Sequence, residues 1–274
     1  MRKMMKTSKR MWFTLIAVLL LFAGFMSYPS TTTPQIVEAA SGGQVMITSS
    51  FEERRGRTVS LSVLVSDIED AAAGSFELHY DADVGYVTDA EKGDAMPEGA
   101  LFVKNIDQAR KGVIKAAWAS NEGQVKDGSL LTLEFRLMHR NRKNSSDLDL
   151  SNVQLFDEDG DPISFNVVDG DVKPFNGKKK ASQKNINSNK TWTIKFNTAM
   201  NRSTLNPHTI TVTDDRTGEK IPVKVQMSKD KKSVTVSPVK HYIKGSYTLT
   251  ISDQIQSSHG DSLKEAVQLP FTVN

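Results

Sequence analysis

Short runs in which apolar and polar residues alternate with period two recur along this chain, and 3.6-residue helical periodicity is missing between them. In residues 58–65, Val59, Leu61, Val63 and Val65 share one side while Thr58, Ser60 and Ser62 share the other. In residues 75–80, Phe76, Leu78 and Tyr80 oppose Ser75, Glu77 and His79. Successive strand side chains point to opposite faces, so each run reads as a half-buried strand. Nine such runs fall at 44–48, 58–65, 75–80, 85–88, 101–105, 113–119, 130–137, 148–156 and 163–168, and six more at 191–196, 209–213, 221–227, 233–237, 247–252 and 269–273. Many short strands without interleaved helices predict antiparallel sandwiches rather than a parallel sheet with crossovers. In the strand GVIKAAWAS, Ile114, Ala116 and Trp118 share the face expected to be buried, and Ala117 and Ala119 leave the other face bare.

The runs fall into two groups. Between them, DVKPFNGKKKASQKNINSNK has the Pro, Gly, Asn, Ser and Lys content of a solvated linker. Charge divides at the same place. Residues 41–175 hold 24 acidic and 14 basic side chains, a net of −10, and residues 176–274 hold 7 acidic and 16 basic, a net of +9. The whole-chain value of +3 therefore hides two oppositely charged halves, which bears on partners and not on fold.

Upstream of the first run, Arg2, Lys3, Lys6, Lys9 and Arg10 precede an apolar stretch over 11–26, and Val37, Glu38 and Ala39 offer small residues at signal-peptidase spacing. A signal peptide over 1–39 is expected, with an uncleaved membrane anchor as the alternative. The mature chain is then secreted or displayed at the cell surface. It contains no cysteine, so its stability must come from its cores, and thiolate metal sites and cysteine nucleophiles are excluded.

No catalytic pattern emerges. The five histidines, His79, His139, His208, His241 and His259, lack metal-ligand spacing, and neither a glycine-rich phosphate loop nor a nucleophile elbow is present. Asp157, Asp159 and Asp161 alternate around Gly160 as calcium ligands do, but Pro162 and Val168 stand where an EF-type loop needs Gly and Glu, so a solvated hairpin turn is expected and no metal or other cofactor. The lysines of the basic half lie in turns with little aromatic interleaving, which argues against specific nucleic-acid recognition.

Four segments in order, SFELHYDADVGYV, GVIKAAWAS, DGSLLTLEFRL and DEDGDPISFNVVDGDV, are similar to the strands and turns of the cohesin family. The segments WTIKFNTAMNRSTLNPHTITVTD, KGSYTLTIS and SSHGDSLKE resemble a bacterial immunoglobulin-like domain of the surface-layer protein type. These resemblances imply an all-β chain: a signal peptide over 1–39, a nine-stranded jelly-roll cohesin-like sandwich over 43–172, a linker over 173–184 and a smaller immunoglobulin-like β-sandwich over 185–274. They also imply a noncatalytic binding module that engages a polysaccharide or a dockerin-like protein partner. In cohesin-like folds the sheet containing the strand at 75–80 and the strand after Gly112 carries the partner surface, so Glu77, His79 and Asp81 beside Lys115 and Ala117 form the candidate face. The basic second module is expected to meet anionic cell-wall polymers, and a membrane only through an uncleaved leader. The competing class is a structural surface-layer or matrix protein in which both modules are spacers or adhesion elements.

Overall fold

A computed structural model describes residues 43–51, 57–121, 124–138 and 144–274. The leader expected over 1–39 and His139 lie outside the described residues. The chain divides into two compact units, Met1–Pro174 and Phe175–Asn274.

The first unit contains β1 (Gln44–Ile47), β2 (Thr58–Ser66), β3 (Ala73–Tyr80), β4 (Gly85–Lys92), β5 (Leu101–Asn105), β6 (Val113–Ala119), β7 (Gly128–Leu137), β8 (Ser146–Phe156), β9 (Asn166–Val168) and β10 (Gly170–Val172). They form two sheets, ordered β4-β7-β2-β1-β9 and β10-β8-β3-β6-β5. Pairing is antiparallel except between β1 and β9. The nine expected strands are present, and the ninth run is followed by a further strand. The chain leaves one sheet after β9 and joins the other at β10. Between them the Asp169 carboxylate accepts the Leu150 N–H at 2.8 Å.

The alternation seen in the sequence sets the inner faces. Leu61, Val63, Leu133 and Phe135 from one sheet, and Phe76, Leu78, Ile114 and Leu148 from the other, belong to one buried cluster. Trp118 joins it at 3% exposure, as its strand parity predicts. At the end of β3 the Tyr80 hydroxyl donates to the Ala109 carbonyl at 2.7 Å and accepts the Val87 N–H at 3.1 Å. Its ring meets Phe135 edge-on at 5.2 Å. Burial holds this phenol in its neutral form by raising its pKa, against the opposing pull of the Val87 amide. Gly112, which opens β6, has φ 85°, and a Cβ there would stand 2.1 Å from the Tyr80 carbonyl. Only glycine fits that turn, which fixes β6 beside β3.

The second unit contains β11 (Lys178–Lys179), β12 (Gln183–Ile186), β13 (Trp192–Lys195), β14 (Ile210–Asp214), β15 (Lys220–Ile221), β16 (Val223–Met227), β17 (Ser233–Pro238), β18 (Gly245–Ile251) and β19 (Val267–Val273). One sheet runs β11-β19-β18-β14-β15, with β12 also on β19, and the other runs β13-β17-β16. Trp192, Tyr242, Tyr247 and Phe271 meet at the centre of its core. The run expected as one strand over 221–227 is two, because Pro222 has no N–H to give to a ladder and separates β15 in one sheet from β16 in the other.

The segment expected as a linker over 173–184 carries β11 and the start of β12, both parallel to β19. Lys178, Lys179, Gln183 and Lys184 keep their side chains exposed. Backbone pairing to β19 positions these strands, with Ile186 alone among their side chains packed against the core, so their composition looks like that of a solvated tether.

Candidate partner-binding face

The outward side of β10-β8-β3-β6-β5 brings distant residues together through strand register. Glu77 stands opposite Lys115 on β6 and opposite Ser151 on β8. Ser75 faces Ala117, which in turn faces Val103 on the edge strand β5, and Ala119 faces Leu101. Because Phe76, Leu78, Ile114 and Ala116 point inward, the residues between them must point to solvent.

Glu77 is the centre of the polar half. Lys115 Nζ donates to its Oε1 at 2.6 Å, and His79 Nε2 lies 3.4 Å from Oε2. The bulge that shifts register between Ser75 and Glu77 includes Asn152, at φ 50°, whose side chain also hydrogen-bonds Glu77. Partial burial works against ionisation of Glu77, but Lys115, by hydrogen bond and by charge, with Asn152 and His79, outweighs it and holds the carboxyl below its usual range. Glu77 is thus a fixed anion, with a side chain 21% exposed, flanked by more exposed Lys115 and His79.

Of the five residues expected on this face, the structure gathers Glu77, His79, Lys115 and Ala117 through the register of β3 with β6. Asp81 lies beyond the end of β3. Its Oδ1 accepts the Asp83 N–H at 2.9 Å, its own N–H donates to Ser146 Oγ at 2.8 Å, and its carbonyl accepts the Val84 N–H at 3.0 Å. Its carboxylate thus closes the turn into β4.

Sequence reasoning missed the apolar half. Leu101 is 58% and Val103 41% exposed, beside the small side chain of partly exposed Ala117, whereas Ala119, expected on the bare side of β6, is buried at 3% exposure at the end of the strand. The signal was present in LFVKN, where Leu101, Phe102 and Val103 follow without a polar alternate; an edge strand with apolar residues on both faces shows one of them to water.

The acidic turn at Asp157, Asp159 and Asp161 is closed by backbone. Asp157 Oδ1 accepts the N–H groups of Asp159 and Asp161, each at 2.9 Å. Among the described residues no cluster of three or more His, Cys, Asp or Glu side chains is poised to hold a metal.

The cohesin-domain family model matches residues 43–173, and the bacterial Ig-like domain model matches residues 172–273. The chain carries a cohesin domain followed by a bacterial Ig-like domain. No curated protein matches it. Among solved structures, a non-cellulosomal cohesin from the hyperthermophilic archaeon Archaeoglobus fulgidus is 22% identical, covering 49% of this chain and 91% of its own, with a TM-score of 0.43. The sixth cohesin of Acetivibrio cellulolyticus scaffoldin B, solved with a mutant Cel5 dockerin, is 20% identical over 49% of this chain and 99% of its own, with a TM-score of 0.45. A Clostridium thermocellum OlpA cohesin, solved in a type I cohesin–dockerin complex, is 17% identical over 49% of this chain and 100% of its own, with a TM-score of 0.45.

Cohesin and Ig-like domains are noncatalytic binding modules, typical of extracellular and cell-surface proteins. No helix among the described residues is long and apolar enough to cross a membrane. Within the cohesin domain, the outward side of β10-β8-β3-β6-β5 combines a fixed ion pair with an exposed aliphatic edge.

Proposed function

We propose that this is an exported, noncatalytic cell-surface protein whose cohesin domain holds a dockerin-like protein on the outward side of β8-β3-β6-β5. The observation that carries this reading is the pairing of exposed Leu101 and Val103 with the Glu77–Lys115 ion pair across the bare strand β6. Protein interfaces combine an apolar centre with anchored polar groups at its margin, and alanines let a partner backbone approach. A polysaccharide would call for an aromatic ring platform, and Trp118, the aromatic residue of β6, is turned into the core.

The Ig-like domain serves as the display element. Its excess of basic side chains suits anionic cell-wall polymers, and the β16–β17 hairpin concentrates Lys229, Lys231 and Lys232 beside β13, where the Phe196 N–H meets the Lys232 carbonyl at 2.9 Å.

The test replaces both exposed aliphatics, Leu101→Asp with Val103→Asp, and measures capture of calcium-loaded dockerin modules from the source genome by titration calorimetry. Capture should fall about a hundredfold, as loss of a hot spot does, with thermal stability changed by about 1 kcal/mol or less, as at exposed sites. Undiminished capture by a folded variant overturns the assignment of the face. Failure of the unaltered chain to bind any of these modules overturns the choice of partner.

A further inference from the structure

Residues 239–244, the loop from β17 to β18, hold the most exposed large apolar side chains of the Ig-like unit. Ile243 is 67% and Val239 51% exposed. Between them Tyr242 is buried at 3% exposure, its ring 5.3 Å from Phe271 and 5.4 Å from Tyr247. The backbone is pinned along its length. The Val239 N–H donates to the Pro222 carbonyl at 3.0 Å, the Tyr242 N–H to the Ser188 carbonyl at 2.8 Å, and the Tyr247 hydroxyl to the Ile243 carbonyl at 2.9 Å. An anchor in the core therefore holds two aliphatic side chains out in water, and fraying of the chain does not explain their exposure.

Charge is patterned around the same tip. Lys240, His241 and Lys244 are exposed and interleaved with the apolar pair, and no acidic residue occurs between Val239 and Lys244. Two side chains offer far less area than the roughly 800 Å² per partner of a stable protein interface. A soluble polyanion would use the lysines and leave Val239 and Ile243 unexplained. An anionic bilayer uses both: aliphatic tips enter the boundary between headgroups and acyl chains while lysine stems extend so that their ammonium groups stay with the phosphates.

We propose that this loop seats the Ig-like unit on an anionic lipid surface, with Val239 and Ile243 inserted at the headgroup–acyl boundary and Lys240 and Lys244 against lipid phosphates. The contact is separate from the amino-terminal leader. It is also separate from the lysine-rich β16–β17 hairpin, which lies at the other end of β17.

The absence of cysteine gives a clean probe. Ile243→Cys and Val239→Cys, each in the full chain and labelled with an environment-sensitive fluorophore, are mixed with vesicles of phosphatidylcholine containing phosphatidylglycerol, and Lys231→Cys at the hairpin is labelled as the control. Labels at 243 and 239 should shift to the blue and be quenched by nitroxides on the lipid chains, whereas the label at 231 stays aqueous. Adding Lys240→Glu with Lys244→Glu should raise the lipid needed for half the shift about tenfold, as loss of two headgroup contacts predicts. Because the readout reports depth at the loop, tethering of the chain by its leader does not mimic it. Aqueous labels at both loop positions overturn the proposal, as does an equal shift at 231 or indifference to the two lysines. A shift produced by a soluble anionic polymer in place of vesicles reassigns the loop to such polymers and overturns it as well.

Discussion

Both cores hold four buried aromatic residues, but the cohesin domain disperses Phe76, Tyr80, Trp118 and Phe135 among a larger set of aliphatic side chains from both five-stranded sheets, whereas the Ig-like domain gathers Trp192, Tyr242, Tyr247 and Phe271 into one ring cluster in a smaller interior. Phe271 is the hub of the latter, 5.0 Å from Trp192, 5.3 Å from Tyr242 and 5.4 Å from Tyr247. The first arrangement spreads burial over many interchangeable contacts, and the second concentrates it in a few large side chains, each burying far more area than a leucine. The same contrast extends to the surface. Each domain has two exposed large aliphatics close together in the chain, but Leu101 and Val103 lie on a sheet edge beside an ion pair, and Val239 and Ile243 stand on a loop among lysines. A sheet face and a cationic tip select different partners even when the exposed residues are chemically alike.

The contrast in cores makes the largest prediction. Phe271→Ala should cost about 3–5 kcal/mol and remove or sharply lower the Ig-like transition in calorimetry, leaving the cohesin transition in place. Leu61→Ala, at 0% exposure in the first core, should cost about 2–5 kcal/mol and leave that domain folded. A shift of both transitions by Phe271→Ala breaks the comparison, because the two cores would then not be independent.

A smaller effect should appear in alkali. Burial pushes the Tyr242 phenol up to about 12, opposed by the neighbouring Trp192 indole and aided by Tyr247. A phenol has a pKa of about 10 when unfolded, so the stability its neutral form contributes is fully present below that pH and is lost as pH rises toward the folded value. The Ig-like transition should therefore fall between about pH 10 and 12, and Tyr242→Phe should flatten that fall. An unchanged slope in the phenylalanine variant would remove Tyr242 from the account and sharpen the role of the other rings.

The smallest effect concerns charge. Lys231→Glu with Lys232→Glu at the exposed hairpin should leave both transitions within about 0.5 kcal/mol while reducing retention on purified cell walls several-fold at low salt. The difference should vanish as the screening length shrinks to about 3 Å near molar salt. Equal retention on walls stripped of anionic polymers would defeat the electrostatic reading of this domain.

Much of the architecture was legible because period-two patterning is a local property. β2, β3, β6 and β7 follow their apolar alternation, and so do β14 and β18. Where side chains carried no burial signal, strands went unseen: β11 and β12 are made by backbone bonds to β19 while their lysines and glutamine stay wet. β10 was hidden for another reason, since Gly170 and Asp171 give no alternation and only the turn at Asp169 shows the chain changing sheets. At the candidate face the sequence identified the polar side of β3 and the bare side of β6. It also named Asp81, which the structure places just past the end of β3, because parity continues in the sequence after the strand has ended.

The sequence by itself determined that this chain would be two all-β domains and which side of each clearly alternating strand would meet water, since both follow from alternation within a single strand and from turn residues beside it. Only the tertiary structure decided which strands are neighbours. Glu77 and Lys115 are 38 positions apart, and nothing local to either specifies the other. Their pairing follows from the register that buries Leu78 beside Ile114 and Phe76 beside Ala116. A one-residue slip would turn one strand's apolar residues to solvent, so packing of the inner face fixes the partners on the outer one.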